Sequence, residues 1–135
     1  DALNKEISDW MRKGKIKGAP PLSVQGKDSI VWARDYSHQQ EHKCDCDLLK
    51  ETLKMIPGVE RVVVGHTIQH PHGITSACDG KVIRVDVGMS KGCVDAKPEA
   101  LEILGDGASI SKMKLADDGA TVHAEKLCSR ASASA

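Results

Sequence analysis

The chain has 135 residues, 19 basic against 19 acidic side chains for a formal net charge of zero, and no Phe. That length suits one domain or part of one, and with Trp10, Trp32 and Tyr36 as the only aromatic residues the core must rest on Val, Ile, Leu, Ala and Met. Charges of both signs are dispersed and no apolar run reaches the roughly 18 residues that cross a bilayer, so the chain reads as soluble, with no nucleic acid and no membrane as partner.

The start, DALNKEISDW, has neither an initiating Met nor a basic leader, which predicts a longer parent. Leu3, Ile7, Trp10 and Met11 fall on one helical face before RKGKIKGAPP breaks the pattern. DSIVWARDYS predicts a strand around Ile30 to Ala33, and HQQEHK an exposed loop. In CDCDLLKETLKMIPG, Asp45 and Asp47 favour a helix N-terminus, Cys46, Leu49, Leu53 and Ile56 give its buried stripe, and Pro57-Gly58 stops it. ERVVVGH is almost wholly apolar, which predicts a strand covered on both faces. In GITSACDGKVIRVDVG, Asp79-Gly80 suits a type I′ hairpin turn, because both central residues need positive φ. EALEIL, SISKMKL and TVHAEKL predict three more strands with turns at GDG and DDGA, and SRASASA predicts a mobile tail over 129–135. The order of helices and strands predicts an α/β (α+β layered) fold.

Five cysteines, Cys44, Cys46, Cys78, Cys93 and Cys128, are an odd set, which predicts reduced thiols. His38, His42, Cys44 and Cys46 form H-x3-H-x-C-x-C, enough soft ligands for zinc, although C-x-C is tighter than the usual C-x2-C knuckle. His66 follows a strand and a Gly. A neutral imidazole there suits Zn, Fe or Mn, while a histidine so placed also reads as a hydrogen-bonded structural residue. His70 and His72, in a Pro-containing loop, read as exposed. Asp86 reads as a side chain that fixes the Gly88 loop in preference to a metal ligand. Cys93 reads as a buried or half-buried thiol, with Lys91 the only basic residue near it in sequence.

Taken together and in order, VWARDYS, VVVGHT and VIRVDVGMSKG resemble the calcineurin-like metallophosphoesterases, most closely the Shewanella-like protein phosphatases. DCDLLKETLKMIPGVERVVVGHTIQ and IRVDVGMSKGCVDAKPEALEI are similar to the corresponding family segments. The resemblance covers about residues 1 to 104, is strongest from Cys44 to Ile103, and corresponds to the C-terminal half of the catalytic domain. It implies a partial metallophosphoesterase domain over 1–128, half of a β-sandwich flanked by helices. It also implies two divalent metal ions of the Mn, Fe or Zn class, with His66 as a ligand of one and Arg34 of WAR as a phosphate contact. The implied reaction is metal-activated hydrolysis of phosphoserine or phosphothreonine monoesters on a phosphoprotein substrate.

The family's N-terminal motifs Gly-Asp-x-His-Gly, Gly-Asp-x-x-Asp-Arg-Gly and Gly-Asn-His-Glu are absent, and Asn4 is the only Asn. Asp106 in Gly105-Asp106-Gly107 has no His two residues on. Ile68 stands where many metallophosphoesterases place a second His, as in the protein-phosphatase branch. The resemblance therefore implies an incomplete ligand set, an isolated chain that is inactive, and a missing N-terminal half as partner. The address, cytoplasmic or organellar (mitochondrion or chloroplast), would lie in that half. The alternative is a non-catalytic binding or scaffold module with a Cys/His zinc site.

Overall fold

Every backbone N–H and C=O withdrawn from water must find a partner, and in this chain the partners divide it in two. A computed structural model describes residues 2–14, 18–27 and 29–129, and the chain forms two compact units, Asp1–Arg34 and Asp35–Ala135. Residues 130–135, most of the expected mobile tail, lie outside the described residues.

In the first unit the expected amphipathic helix forms as α1, Ala2–Arg12, but none of its residues is fully buried. Trp10 Nε1 donates to the Gly18 carbonyl at 3.3 Å and Ser23 Oγ to Glu6 at 3.1 Å, which ties the following segment to the helix. The strand expected around Ile30 to Ala33 is not there. Ile30 N–H donates to the Ser23 carbonyl and Trp32 N–H to the Ser29 carbonyl. These local turn bonds take up the backbone, and Ile30, Val31 and Trp32 stay exposed.

In the second unit, α2 spans Cys46–Lys54, and Asp45 caps it by accepting from the Leu48 N–H at 2.8 Å. Its first residue departs from the expected stripe: Cys46 is exposed and bonded to Cys78. Residue parity cannot reveal that a helix start and a hairpin turn meet 32 positions apart; the bridge leaves Cys44, Cys93 and Cys128 as the free thiols. Ile56 lies beyond the last helical turn and is half exposed, so Leu49 and Leu53 carry the burial.

Two small sheets complete the unit. The first has the order β1 (Val62–Val64), β3 (Val82–Arg84), β2 (Thr75–Ala77), with β1 parallel and β2 antiparallel to β3. The second is a meander of β4 (Glu99–Leu104), β5 (Ser109–Leu115) and β6 (Val122–Ser129), at the positions expected. The β2–β3 hairpin turns as its sequence predicts. Asp79 and Gly80 both have positive φ, and the Lys81 N–H donates to the Cys78 carbonyl at 3.1 Å.

The expectation for β1 needs correcting. Among the described residues β1 pairs with β3 alone and is an edge strand, and Val63 on one of its faces is half exposed. The strand covered on both faces is β3, and its alternation builds the layers. Val82 joins Cys44, Leu49, Leu53 and Ala77 on the α2 side, whereas Ile83 joins Ile74, Val87 and Ile110 on the side of the second sheet. Each fully buried aliphatic side chain there contributes roughly 1.5–3 kcal/mol. The result is the mixed α/β fold expected, with helix, sheet and sheet in layers. No helix among the described residues is long and apolar enough to cross a membrane.

Arg84 also belongs to the α2 side, where the residue is 3% exposed. It donates to the His38 carbonyl at 2.6 Å and to the Ser76 carbonyl at 3.0 Å. A buried cation held by carbonyl dipoles thereby pins the segment after Tyr36 against β2.

Candidate functional site

β1 ends at Val64, whose carbonyl accepts from the Val85 N–H at 2.9 Å, the last sheet bond before Gly65 and His66. His66 has φ of 68°, a left-handed conformation that reverses the chain at the sheet edge and leaves the imidazole exposed. His is among the non-glycine residues enriched in that region, so the turn is tolerated without Gly.

Beyond His66 the loop to Gly73 is organised around Gln69, which is 1% exposed. Its Nε2 donates to the carbonyls of Thr67 at 2.8 Å and Ser37 at 2.9 Å, and its Oε1 accepts from Thr75 Oγ1 at 3.5 Å. Its backbone N–H donates to the Asp86 carbonyl at 2.7 Å, and its carbonyl accepts from His72 and Gly73. Ser37 and Thr67 share a hydroxyl hydrogen bond of 2.7 Å, and Gln39 Nε2 donates to the Ile68 carbonyl at 2.6 Å. The segment expected to be an exposed loop is exposed over residues 39–43, and with Ser37 just before it forms one wall of the histidine loop. His70 and His72 are exposed on its far part, as expected, and the His70–Pro71 bond is cis.

The opposite wall is the Asp86–Gly88 turn. Asp86 Oδ1 accepts from the Gly88 N–H at 2.9 Å, which is the loop-fixing role read from the sequence. Gly88 has φ of 65°, and a Cβ there would stand 2.7 Å from Val94 Cγ2 and 2.8 Å from Ile68 Cγ2. Only glycine lets the two loops approach so closely.

Arg34 lies in the first unit and His66 in the second. The Arg34 guanidinium sits 5.4 Å from the centre of the Trp32 ring and donates to the Ala33 carbonyl at 3.0 Å.

The zinc set proposed from spacing does not survive. Cys46 is spent in the disulfide, and the buried Cys44 thiol faces the Tyr36 and His38 carbonyls at 3.4 and 3.6 Å. Cys93 is exposed, not half-buried, because its loop closes on itself through bonds from Cys93 and Asp95 N–H to the Ser90 carbonyl. Among the described residues no group of three or more His, Cys, Asp or Glu is placed to hold a metal ion. A cleft of about 780 Å³ runs along the disulfide past Glu41, His42 and Lys81, and His66 is not among its lining residues.

Gln69, Ser37 and Gln39 escaped the reading of the sequence. Gln69 stands three residues after His66, but its partners are as far as 32 positions away, which no local pattern reports.

An exposed imidazole at the end of a sheet strand, held by a hydrogen-bonded loop, belongs to a mixed α/β protein of the kind the motifs suggested, and the sequence relationship is to a protein phosphatase. Over 106 residues the chain is 46% identical to Shewanella-like protein phosphatase 2 of Arabidopsis thaliana, a match that takes in 78% of this chain. The resemblance to Shewanella-like protein phosphatases is thereby borne out. The match spans 27% of that relative's length. No family model matches the chain, and no solved structure matches it.

Proposed function

We propose that the chain is the C-terminal part of the catalytic domain of a metal-dependent phosphoprotein phosphatase, and that His66 is one of its metal ligands. The 46% identity over 106 residues to a protein phosphatase carries this reading. The geometry supports it, because His66 presents an exposed imidazole from a loop anchored at both ends. An exposed imidazole at a strand end fits the part of one metal ligand. The described residues hold no cluster of three donors, so the other ligands come from the remaining length of the phosphatase.

In that centre two divalent ions of the Mn, Fe or Zn class supply activation of water for attack on a phosphate monoester. The His66 imidazole would hold one ion. By the resemblance Arg34 is a phosphate contact, its planar fork suited to two oxygens of a phosphoserine or phosphothreonine monoester. Alone, the chain does not turn over.

The test is a chimera in which this chain replaces its matching segment in Shewanella-like protein phosphatase 2. With Mn and an aryl phosphate the chimera is expected to be active, the chain alone inactive, and the His66→Ala chimera at least about 100-fold slower with reduced metal content. Full activity of the His66→Ala chimera, or His66-dependent turnover by the chain alone, would overturn the proposal.

A further inference from the structure

We propose that Gln69 is the positioning residue of this site, the buried amide that fixes the loop from which His66 is presented; this rests on reading His66 as a metal ligand. A ligating imidazole must keep its place within a fraction of an ångström, and a surface loop does not do so unaided. His66 is fixed upstream by the sheet through Val64. Downstream the first restraint is Thr67, whose carbonyl is held by Gln69 and whose hydroxyl is held by Ser37.

Gln69 can make these connections because a primary amide offers two N–H donors on one atom. One donor holds Thr67, its own loop, and the other holds Ser37, the facing wall. The amide oxygen takes Thr75 of β2, and the backbone N–H takes Asp86, so four segments converge on one residue. At 1% exposure these bonds have no competition from water, which makes their geometry stringent. A carboxylate of the same shape would face the Ser37 and Thr67 carbonyls with no proton to give, and the loop would part from the wall.

Gln69→Glu tests this in the chimera, beside Leu49→Ala as a variant with a core defect on α2, away from the loop. If Gln69 positions His66, Gln69→Glu weakens the apparent affinity for Mn by about 10- to 100-fold. At saturating Mn, kcat then returns to within a few-fold of the parent and KM for the aryl phosphate stays unchanged. Leu49→Ala leaves the Mn affinity alone. Amide hydrogen exchange of the chain itself then shows protection lost at residues 67–73 and retained in α2 and β5. Should Gln69→Glu not fold, Thr67→Val removes the hydroxyl bond to Ser37 that joins the same loop to the same wall and is expected to weaken Mn in the same sense.

Unchanged Mn affinity in both variants, with the His66→Ala chimera metal-deficient, would overturn the role of Gln69 and spare that of His66. Unchanged metal content in His66→Ala would overturn both. A loss of kcat that Mn does not restore would overturn positioning of the metal ligand.

Discussion

His66 combines an exposed imidazole with a backbone at φ of 68°. For an L-residue that conformation costs roughly 1–2 kcal/mol, and it persists because Val64 on one side and Thr67 on the other are already bonded. The same residue therefore serves the site at some cost to the fold, and substitutions can separate the two. His66→Gly is expected to leave unfolding stability unchanged or raise it by up to about 1 kcal/mol, whereas His66→Val, β-branched and ill-suited to positive φ, lowers it by about 1–2 kcal/mol. Urea titrations of the three chains measure this, and equal losses in both variants would show that the backbone conformation is not what is felt. The position of His66 at a strand end could be read from VVVGHT. Its inverted backbone could not, since Gly65 is the residue a reader would have chosen for the turn. Asp86 is the converse case: a short polar side chain two residues before a glycine finds its partner locally, so its bond to Gly88 was legible.

At the scale of elements, periodicity located α1, α2, the Asp79-Gly80 hairpin and the three strands of the meander, because in each the signal lies within the element. It failed where coverage depends on neighbours. VVV and VIR look alike as strings, yet β1 is an edge and β3 the centre, and IVWA has the composition of a strand but turns. The disulfide is likewise a relation between two elements, the first turn of α2 and the β2–β3 turn. Closing a loop of 32 positions restricts the unfolded chain enough to stabilise the fold by about 3–4 kcal/mol. Reduction, or Cys46→Ser, is expected to shift the urea midpoint downward by that equivalent. Alkylation of the denatured, unreduced chain should modify three cysteines, and modification of all five would show that the bridge is absent.

At the scale of the whole molecule, no strand among the described residues pairs with the outer edge of β1, and exposed Met55, Ile56, Val59 and Val63 lie in the segment leading to it and on it. An open edge with apolar neighbours recruits other chains. The isolated chain is expected to associate at micromolar concentration by light scattering, and Val63→Lys, which places a charge on that strand, is expected to reduce the association. A monodisperse monomer across that range would show that the edge is protected.

The bonds from Arg84 to His38 and from Gln69 to Ser37 join positions 46 and 32 residues apart. Loop closure on that scale is slow to be rewarded, so these bonds form only after β3 has found its neighbours. The wall that steadies His66 is then expected to form after β3 has paired, together with the equally long-range bond from Arg61 to the Gly107 carbonyl. The ladders of both sheets and the helical bonds of α2 lie outside that wall, so the histidine loop could come apart without any of them being broken.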